Sequence, residues 1–142
     1  MKNWSLTSLF AVAAMTWISG MPLVSEESAE KIAEKAAGSW LTLVDSGKYS
    51  ASWSEAAQLF KEKVTLQQWE SALQSVRTPL GKVDSRKLKN THYTKTLPGA
   101  PDGEYVVFQF DAAFANKRAA VETVTPMRDA DGQWRVSGYF IR

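Results

Sequence analysis

The chain of 142 residues has no cysteine and a single histidine, and each scarcity removes a class of function. Without a thiol the chain has no disulfide, thiolate metal site, cysteine nucleophile or cysteine-linked lipid anchor. A lone histidine, His92, excludes a metal site built on a histidine pair. A Ser-His-Asp arrangement would have to use His92, yet the sequence lacks the Gly-x-Ser-x-Gly motif that presents the serine in many hydrolases. We therefore expect His92 to be an exposed residue of a polar strand.

A strong excess of one charge is missing as well. Lysine and arginine number 17 against 15 acidic residues, a net charge of +2, which gives no general case for nucleic-acid binding. Apolar residues make up 44% of the chain, enough for the core of one globular domain. No cofactor motif is recognisable, and we expect no cofactor and no metal. The Asp-Ala-Asp-Gly segment at 129–132 lacks the further ligands of a calcium loop, whose twelfth position is Phe140 here, and predicts a hairpin turn.

The N-terminus resembles an export signal. Lys2 precedes a mostly apolar run without charge, from Trp4 to Ile18, and Pro22 follows. The run of about 15 residues is shorter than the roughly 20 that a membrane-spanning helix needs. We predict a signal peptide over residues 1–25, cleaved near Gly20 to Ser25, and a single domain over residues 26–142 that is periplasmic or secreted. An uncleaved membrane anchor is the alternative; we expect no stable membrane insertion of the mature domain.

Apolar periodicity predicts three helical segments after the signal. The first runs from Glu26 to Val44, with Ile32 and Trp40 on its apolar face, and Gly47 ends it. The second begins at Ser52 and the third at Thr65, because each residue starts an S/T-x-x-E/Q capping box. The apolar stripe of the third consists of Leu66, Trp69, Leu73 and Val76, and Pro79 and Gly81 end that helix.

The rest of the chain predicts four antiparallel strands. A polar strand over residues 81–97 precedes three apolar strands over 104–114, 119–128 and 133–142. Side-chain alternation assigns one set to the buried face: Val106, Phe108, Phe110, Ala112, Phe114, Trp134, Val136 and Phe140. The opposite face would carry a mixed set suited to a partner surface, and to a homodimer: Tyr105, Val107, Arg135, Tyr139 and Ile141. The predicted fold class is α+β, with three helices on one face of a four-stranded antiparallel sheet.

Four segments of the chain resemble DUF4019, a bacterial family of exported domains of unknown function. They are Trp40 to Gly47 with Tyr49, Ser52 and Trp53; Arg77 to Gly81 with Ser85 and Arg86; Leu97 to Tyr105; and Glu122 to Val124 with Asp131 to Tyr139. The order of helices and strands also resembles the NTF2-like, or cystatin-like, cone. The resemblance implies a fold and a location, and it brings no established chemistry to transfer.

Two carboxylates inside the predicted sheet are the candidate catalytic groups. In NTF2-like enzymes of the isomerase or dehydratase kind, an acid inside the cone can act as a base, and Asp111 or Glu122 would have to fill that role. Alternation places Asp111 on the face opposite the phenylalanines, where we expect it to pair with Arg135 or another group across strands. Glu122, if buried, must pair or stay protonated. Catalysis is therefore the less favoured hypothesis.

Aromatic residues and a basic run supply two binding hypotheses. A small apolar ligand could be held by a pocket of aromatic residues, although their periodicity is more typical of a core: Trp40, Trp53, Trp69, Phe108, Phe110 and Trp134. The basic run could bind an anionic surface through residues 82–95, although edge-strand protection explains it as well: Arg77, Lys82, Arg86, Lys87, Lys89 and Lys95. The sequence as a whole favours an exported, non-catalytic binding or accessory domain.

Overall fold

The computed structural model describes residues 25–142, so the signal-peptide prediction lies outside the described residues except for Ser25. Four helices precede four strands: α1 (Glu26–Asp45), α2 (Tyr49–Ser54), α3 (Gln58–Lys63), α4 (Leu66–Leu80), β1 (Val83–Thr94), β2 (Tyr105–Phe114), β3 (Lys117–Arg128) and β4 (Trp134–Ile141). The strands form one antiparallel sheet in the order β1-β2-β3-β4, and α1 packs against all four. The predicted α+β class, with helices followed by a four-stranded antiparallel sheet, is confirmed.

The predicted second helix is two short helices, α2 and α3, separated by three residues, the last of which, Ala57, is extended. Ala57 has φ −60° and ψ 151°, and its N–H donates to the carbonyl oxygen of Val136 in β4 at 2.8 Å. Ser52 does not cap a helix; it lies inside α2, fully buried, and its hydroxyl accepts the indole N–H of Trp69 at 2.9 Å. A contact with the sheet therefore breaks a helix that the local sequence favours.

The start of α4 agrees with the prediction. The Thr65 hydroxyl accepts the backbone N–H of Gln68 at 3.2 Å, and the Gln68 side chain accepts the backbone N–H of Thr65 at 2.9 Å. This reciprocal capping box satisfies two backbone donors that the helix leaves free. Pro79 lies in the last turn, and Gly81 ends the helix with φ +74°, a conformation that favours glycine.

A bulge in the β3–β4 pairing reverses the predicted faces of the last strand. Thr125 pairs with Gly138 but Pro126 pairs with Val136, so Ser137 is an extra residue in β4. Beyond the bulge Tyr139 and Ile141 lie on the helix-covered face, and Phe140 points outward with 53% of its surface exposed. The expectations of an outer Tyr139 and Ile141 and a buried Phe140 are therefore wrong.

The alternation of β2 is confirmed, with one qualification at its first residue. Val106, Phe108 and Phe114 are fully buried on the helix-covered face. Tyr105 lies on the outer face as predicted, but it is only 1% exposed, because the loop before β2 covers it and its hydroxyl donates to the Pro101 carbonyl at 2.6 Å. Of the five interface candidates, Val107 and Arg135 alone remain both outward-facing and partly exposed.

The helix faces that pack on the sheet are narrower than predicted. The buried side of α1 is built largely from alanines at 29, 33 and 37, and small side chains allow the helix to approach the sheet closely. Ile32 in α1 and Val76 in α4 are 49% and 44% exposed, so their predicted burial is wrong. Among residues 25–142 we find no helix both long enough and apolar enough to cross a membrane.

A matched pair of phenylalanine variants tests the bulge. Phe108→Ala should lower the free energy of unfolding by about 3–5 kcal/mol because Phe108 is fully buried. Phe140→Ala should cost about 1 kcal/mol or less because half of the side chain is already in water. Urea unfolding with an unchanged m-value measures both. If Phe140→Ala lowered the free energy of unfolding more than Phe108→Ala does, Phe140 would be buried and β4 would have no bulge.

Candidate functional site

Five polar side chains from five different elements meet between the helices and the sheet. We call them the charge ring: Asp45 of α1, Arg77 of α4, Arg86 of β1, Glu122 of β3 and Tyr139 of β4. The strand members face the helices because Arg86 lies opposite Ala112, Glu122 opposite Phe110 and Tyr139 opposite Val124. Asp45 ends α1, and Arg77 lies in the last turns of α4.

The ring is closed by hydrogen bonds. Arg86 donates to Glu122 at 2.6 and 3.2 Å and to Asp45 at 2.8 and 3.0 Å. Tyr139 donates its hydroxyl proton to Glu122 at 2.6 Å and accepts from Arg77 at 3.4 Å. Arg77 returns to Asp45 at 2.8 Å. Each carboxylate therefore receives donors from two different ring members.

The ring carries two positive and two negative charges in a largely dry position. The side chain of Glu122 is 0% exposed, Arg77 5%, Arg86 18% and Asp45 21%. Arg77 also lies over the Phe114 ring, 5.0 Å from the centroid, in cation–π contact. Its Nε is buried without a hydrogen-bond partner among residues 25–142. Burial on this scale is tolerated because the charges compensate one another.

The ring shifts the acidities of its members in predictable directions. Burial alone would raise the pKa of Asp45, but hydrogen bonds and charge from Arg86 and Arg77 outweigh it, and the pKa is lowered. Burial would lower the pKa of Arg86, but Asp45 and Glu122 together raise it. Burial and then the negative charge of Glu122 raise the pKa of the Tyr139 hydroxyl. Asp45 is thus held ionised and Tyr139 held neutral at ordinary pH.

The two candidate bases occupy opposite environments. Glu122 is inside the ring, with both oxygens engaged by Arg86 and Tyr139, so neither oxygen is free to reach a substrate proton. The side chain of Asp111 is 58% exposed on the outer face, with the Lys89 ammonium 3.5 Å away. The structure therefore does not bring Glu122 and Asp111 together.

Arg135 does not pair with Asp111; it pairs with the turn before β4. It donates to Asp129 at 3.0 Å and to Asp131 at 2.9 and 2.8 Å. The hydrogen bonds from Arg135 are the main reason that the pKa of Asp131 falls to about 2. An arginine thus occupies the acidic pair that resembled a calcium loop, and residues 25–142 hold no group of three or more acids and histidines placed to bind a metal.

The aromatic pocket candidates pack as core. Trp40 and Trp69 have ring centroids 5.8 Å apart, and both touch Tyr139. Their indole N–H groups donate to Ser52, and the indole N–H of Trp53 donates to the Val64 carbonyl. Phe108, Phe110 and Trp134 are each at most 9% exposed. Their packing is that of a core, the interpretation that their periodicity favoured.

The basic run divides between the interior and the surface. Arg77 and Arg86 belong to the charge ring, whereas Lys82, Lys87, Lys89 and Lys95 are exposed. His92 is exposed on the outer face of β1, as expected for a polar strand residue. A surface that attracts anionic polymers would therefore depend on lysines alone.

The ring was missed by sequence reasoning, although a signal for it exists. Arg77 follows Trp69 and Leu73 at a spacing of four, so a charged residue continues the buried stripe of α4. Asp45 likewise follows the buried Leu41 by four residues in α1. Opposite charges on the buried stripes of two helices predict a pair between them. The partners on the sheet follow only from strand register.

A matched pair of carboxylate variants tests the energetic role of the ring. Glu122→Leu should lower the free energy of unfolding by about 3–5 kcal/mol, because it leaves Arg86 buried with half of its counter-charge. Asp111→Asn, on the same sheet but exposed, should change it by no more than about 0.5 kcal/mol. Urea unfolding measures both. Equal losses would mean that the ring contributes no more than a surface ion pair.

Acid titration tests the lowered pKa of Asp45. A carboxylate whose pKa is lower in the folded state stabilises the fold above its unfolded pKa of about 3.9, and the stabilisation is lost as the pH falls through the folded pKa. The natural protein should exceed Asp45→Asn in stability at pH 7, and the difference should shrink toward pH 2. The difference between the two urea midpoints at each pH measures this effect. Other carboxylates titrate in both proteins, so their contribution cancels in the difference. A constant difference would contradict this assignment.

A comparison with known protein families finds a match that includes the segments forming this site. A family model described as a protein of unknown function, DUF4019, matches residues 36–139, a range that contains all five members of the charge ring. None of the curated proteins compared with the chain matches it. The similarity to the NTF2-like cone stays a prediction. With a match that spans most of its length, the chain belongs to the DUF4019 family.

Proposed function

We propose that the protein is an exported, non-catalytic binding or accessory domain that acts through the outer face of its sheet. The observation that carries the proposal is the contrast between the two faces. The helix-covered face is filled by aromatic residues and the charge ring, whereas the outer face leaves the side chain of Asp111 and Phe140 more than half exposed. Binding sites need accessible surface, and the outer face supplies it.

The outer face has the composition of a protein contact surface. Phe140 is 53% exposed there, and two further valines of the outer face are partly exposed, Val121 on the neighbouring strand β3 and Val107 on β2. A groove of about 420 Å³ continues the face between β1, β2 and β3, with Lys87 and Asp111 among its lining residues. An exposed aromatic residue within a patch that has a polar rim is typical of interface anchors.

A second copy of the chain is the occupant that this surface suits best. A two-fold dimer brings the same patch of both subunits together, so the patch must be complementary to itself. Lys87 and Asp111 place both charge signs on the face, and Phe140 supplies an apolar contact near it. We therefore propose a homodimer through the outer face. Export rests on the signal-like residues 1–25.

The alternative of an NTF2-like enzyme has no specific support from the site. An isomerase or dehydratase base needs an open cavity beside it, and Glu122 is closed in by Arg86 and Tyr139. The side chain of Asp111 is 58% exposed, and the Lys89 ammonium lies 3.5 Å from its carboxylate. The other alternative, binding to an anionic surface through residues 82–95, would have to use the exposed lysines, because Arg86 belongs to the charge ring.

A pair of exposed apolar positions tests the dimer. Phe140→Asp should convert a dimer to a monomer, because the two-fold contact would bury one unpaired carboxylate from each subunit. Val76→Asp, at a similarly exposed position on α4, should leave the dimer intact. Native mass spectrometry of the protein purified from an exporting bacterial host reports the mass directly.

Three outcomes of that experiment are informative. A dimer lost only in Phe140→Asp supports the outer face as the contact surface. A dimer that persists in Phe140→Asp, or is lost in Val76→Asp, places the contact elsewhere. A bare monomer of the natural protein at the sequence mass overturns the homodimer.

A further inference from the structure

A second groove opens at the β4 edge of the sheet; of the charge ring only Tyr139 lines it, and Phe140, the proposed dimer contact, does not. We call it the β4 groove; it has a volume of about 340 Å³ and lies between the loop before β2, the end of α3 and strands β3 and β4. Its lining includes Phe60, Lys63, Leu97, Tyr105, Thr125 and Gly138. Ligand pockets for small molecules begin at about this size, roughly 300 Å³.

The walls of the β4 groove are apolar because the polar groups around it are bonded internally. The Tyr105 hydroxyl donates to the Pro101 carbonyl at 2.6 Å, and the Ser137 hydroxyl donates to the Thr125 carbonyl at 2.8 Å. Gly138 leaves the floor open, since a Cβ built there would lie 3.7 Å from the Cβ of Thr125, an ordinary contact. A ligand in the groove would therefore meet mainly carbon.

One charged group breaks this apolar lining. Lys63, the last residue of α3, is exposed, and its ammonium donates to the Gly99 carbonyl at 3.2 Å. Within residues 25–142 that ammonium forms no ion pair, so two of its three donors are available. An apolar groove with one free cation at its edge is complementary to a molecule with an apolar body and one anionic end.

We propose that the β4 groove binds a small amphipathic carboxylate, with its hydrocarbon part against Val64, Leu97 and Gly138 and its carboxylate at Lys63. The inference rests on the proposed binding role and names a ligand class for it. The ligand contacts the groove through apolar area, which supplies most of the affinity, while the Lys63 ion pair selects an anion over a neutral molecule.

Decanoate, below its micellar concentration, is the probe for this proposal, and decanol is its neutral counterpart. Isothermal titration of the full-length protein purified from an exporting host should show saturable binding of decanoate and weaker binding of decanol. Gly138→Val, which fills the floor, should weaken decanoate by about tenfold or more. Ala100→Trp fills the same groove from the loop and serves if Gly138→Val does not fold.

Lys63→Gln tests the charge. It should weaken decanoate by about threefold, the size expected of an exposed ion pair, and leave decanol unchanged. Lys48→Gln, another exposed lysine, is the control and should change neither. Decanoate binding that resists both groove-filling variants, or that is absent in the natural protein, overturns the proposal. Equal affinity for decanol and decanoate overturns the carboxylate specificity.

The same samples separate this proposal from the dimer. A Phe140→Asp monomer that still binds decanoate leaves the β4 groove intact and removes only the dimer contact. A natural protein that is a dimer but does not bind decanoate overturns the ligand proposal and leaves the dimer contact standing.

Discussion

The mutual dependence of the four charges in the ring is the constraint on which the rest of the fold depends. A buried arginine without a carboxylate costs several kcal/mol, about the whole margin of stability of a small domain. Asp45 and Arg77 therefore fix where α1 and α4 end on the sheet, and Arg86 and Glu122 fix which residues of β1 and β3 face them. Tyr139 completes the ring only because the bulge turns it inward.

This arrangement also decides where the domain can meet other molecules. The space between helices and sheet is occupied by the aromatic cluster of Trp40, Trp69 and Tyr139 and by the ring. The proposed recognition uses the surface, with Phe140 on the outer face and the β4 groove between the end of α3, the loop before β2 and the sheet. The ring makes a stable scaffold, and the proposed contacts use the surface that the scaffold leaves exposed.

Local sequence patterns correctly predicted the features that depend on interactions between neighbouring residues. The capping box at Thr65, the alternation of β2 and the polar edge strand β1 each follow from a few neighbouring residues. Contacts between distant residues overrode the local pattern elsewhere. Ala57 leaves the helix to bond β4, and the bulge at Pro126 reverses the faces after Ser137. The ring is of this second kind, since no single segment contains both an acid and its partner.

The hydrogen bond from Ala57 to Val136 has a consequence for assembly. A sheet edge with free backbone groups invites a foreign strand, and open-ended strand addition produces aggregates. The β1 edge carries exposed lysines and two bulges, and the start of α3 occupies an acceptor on the β4 edge. With both edges obstructed, growth by strand pairing is disfavoured and contact through a face is retained. Associations of this domain should accordingly be closed and finite rather than fibrous.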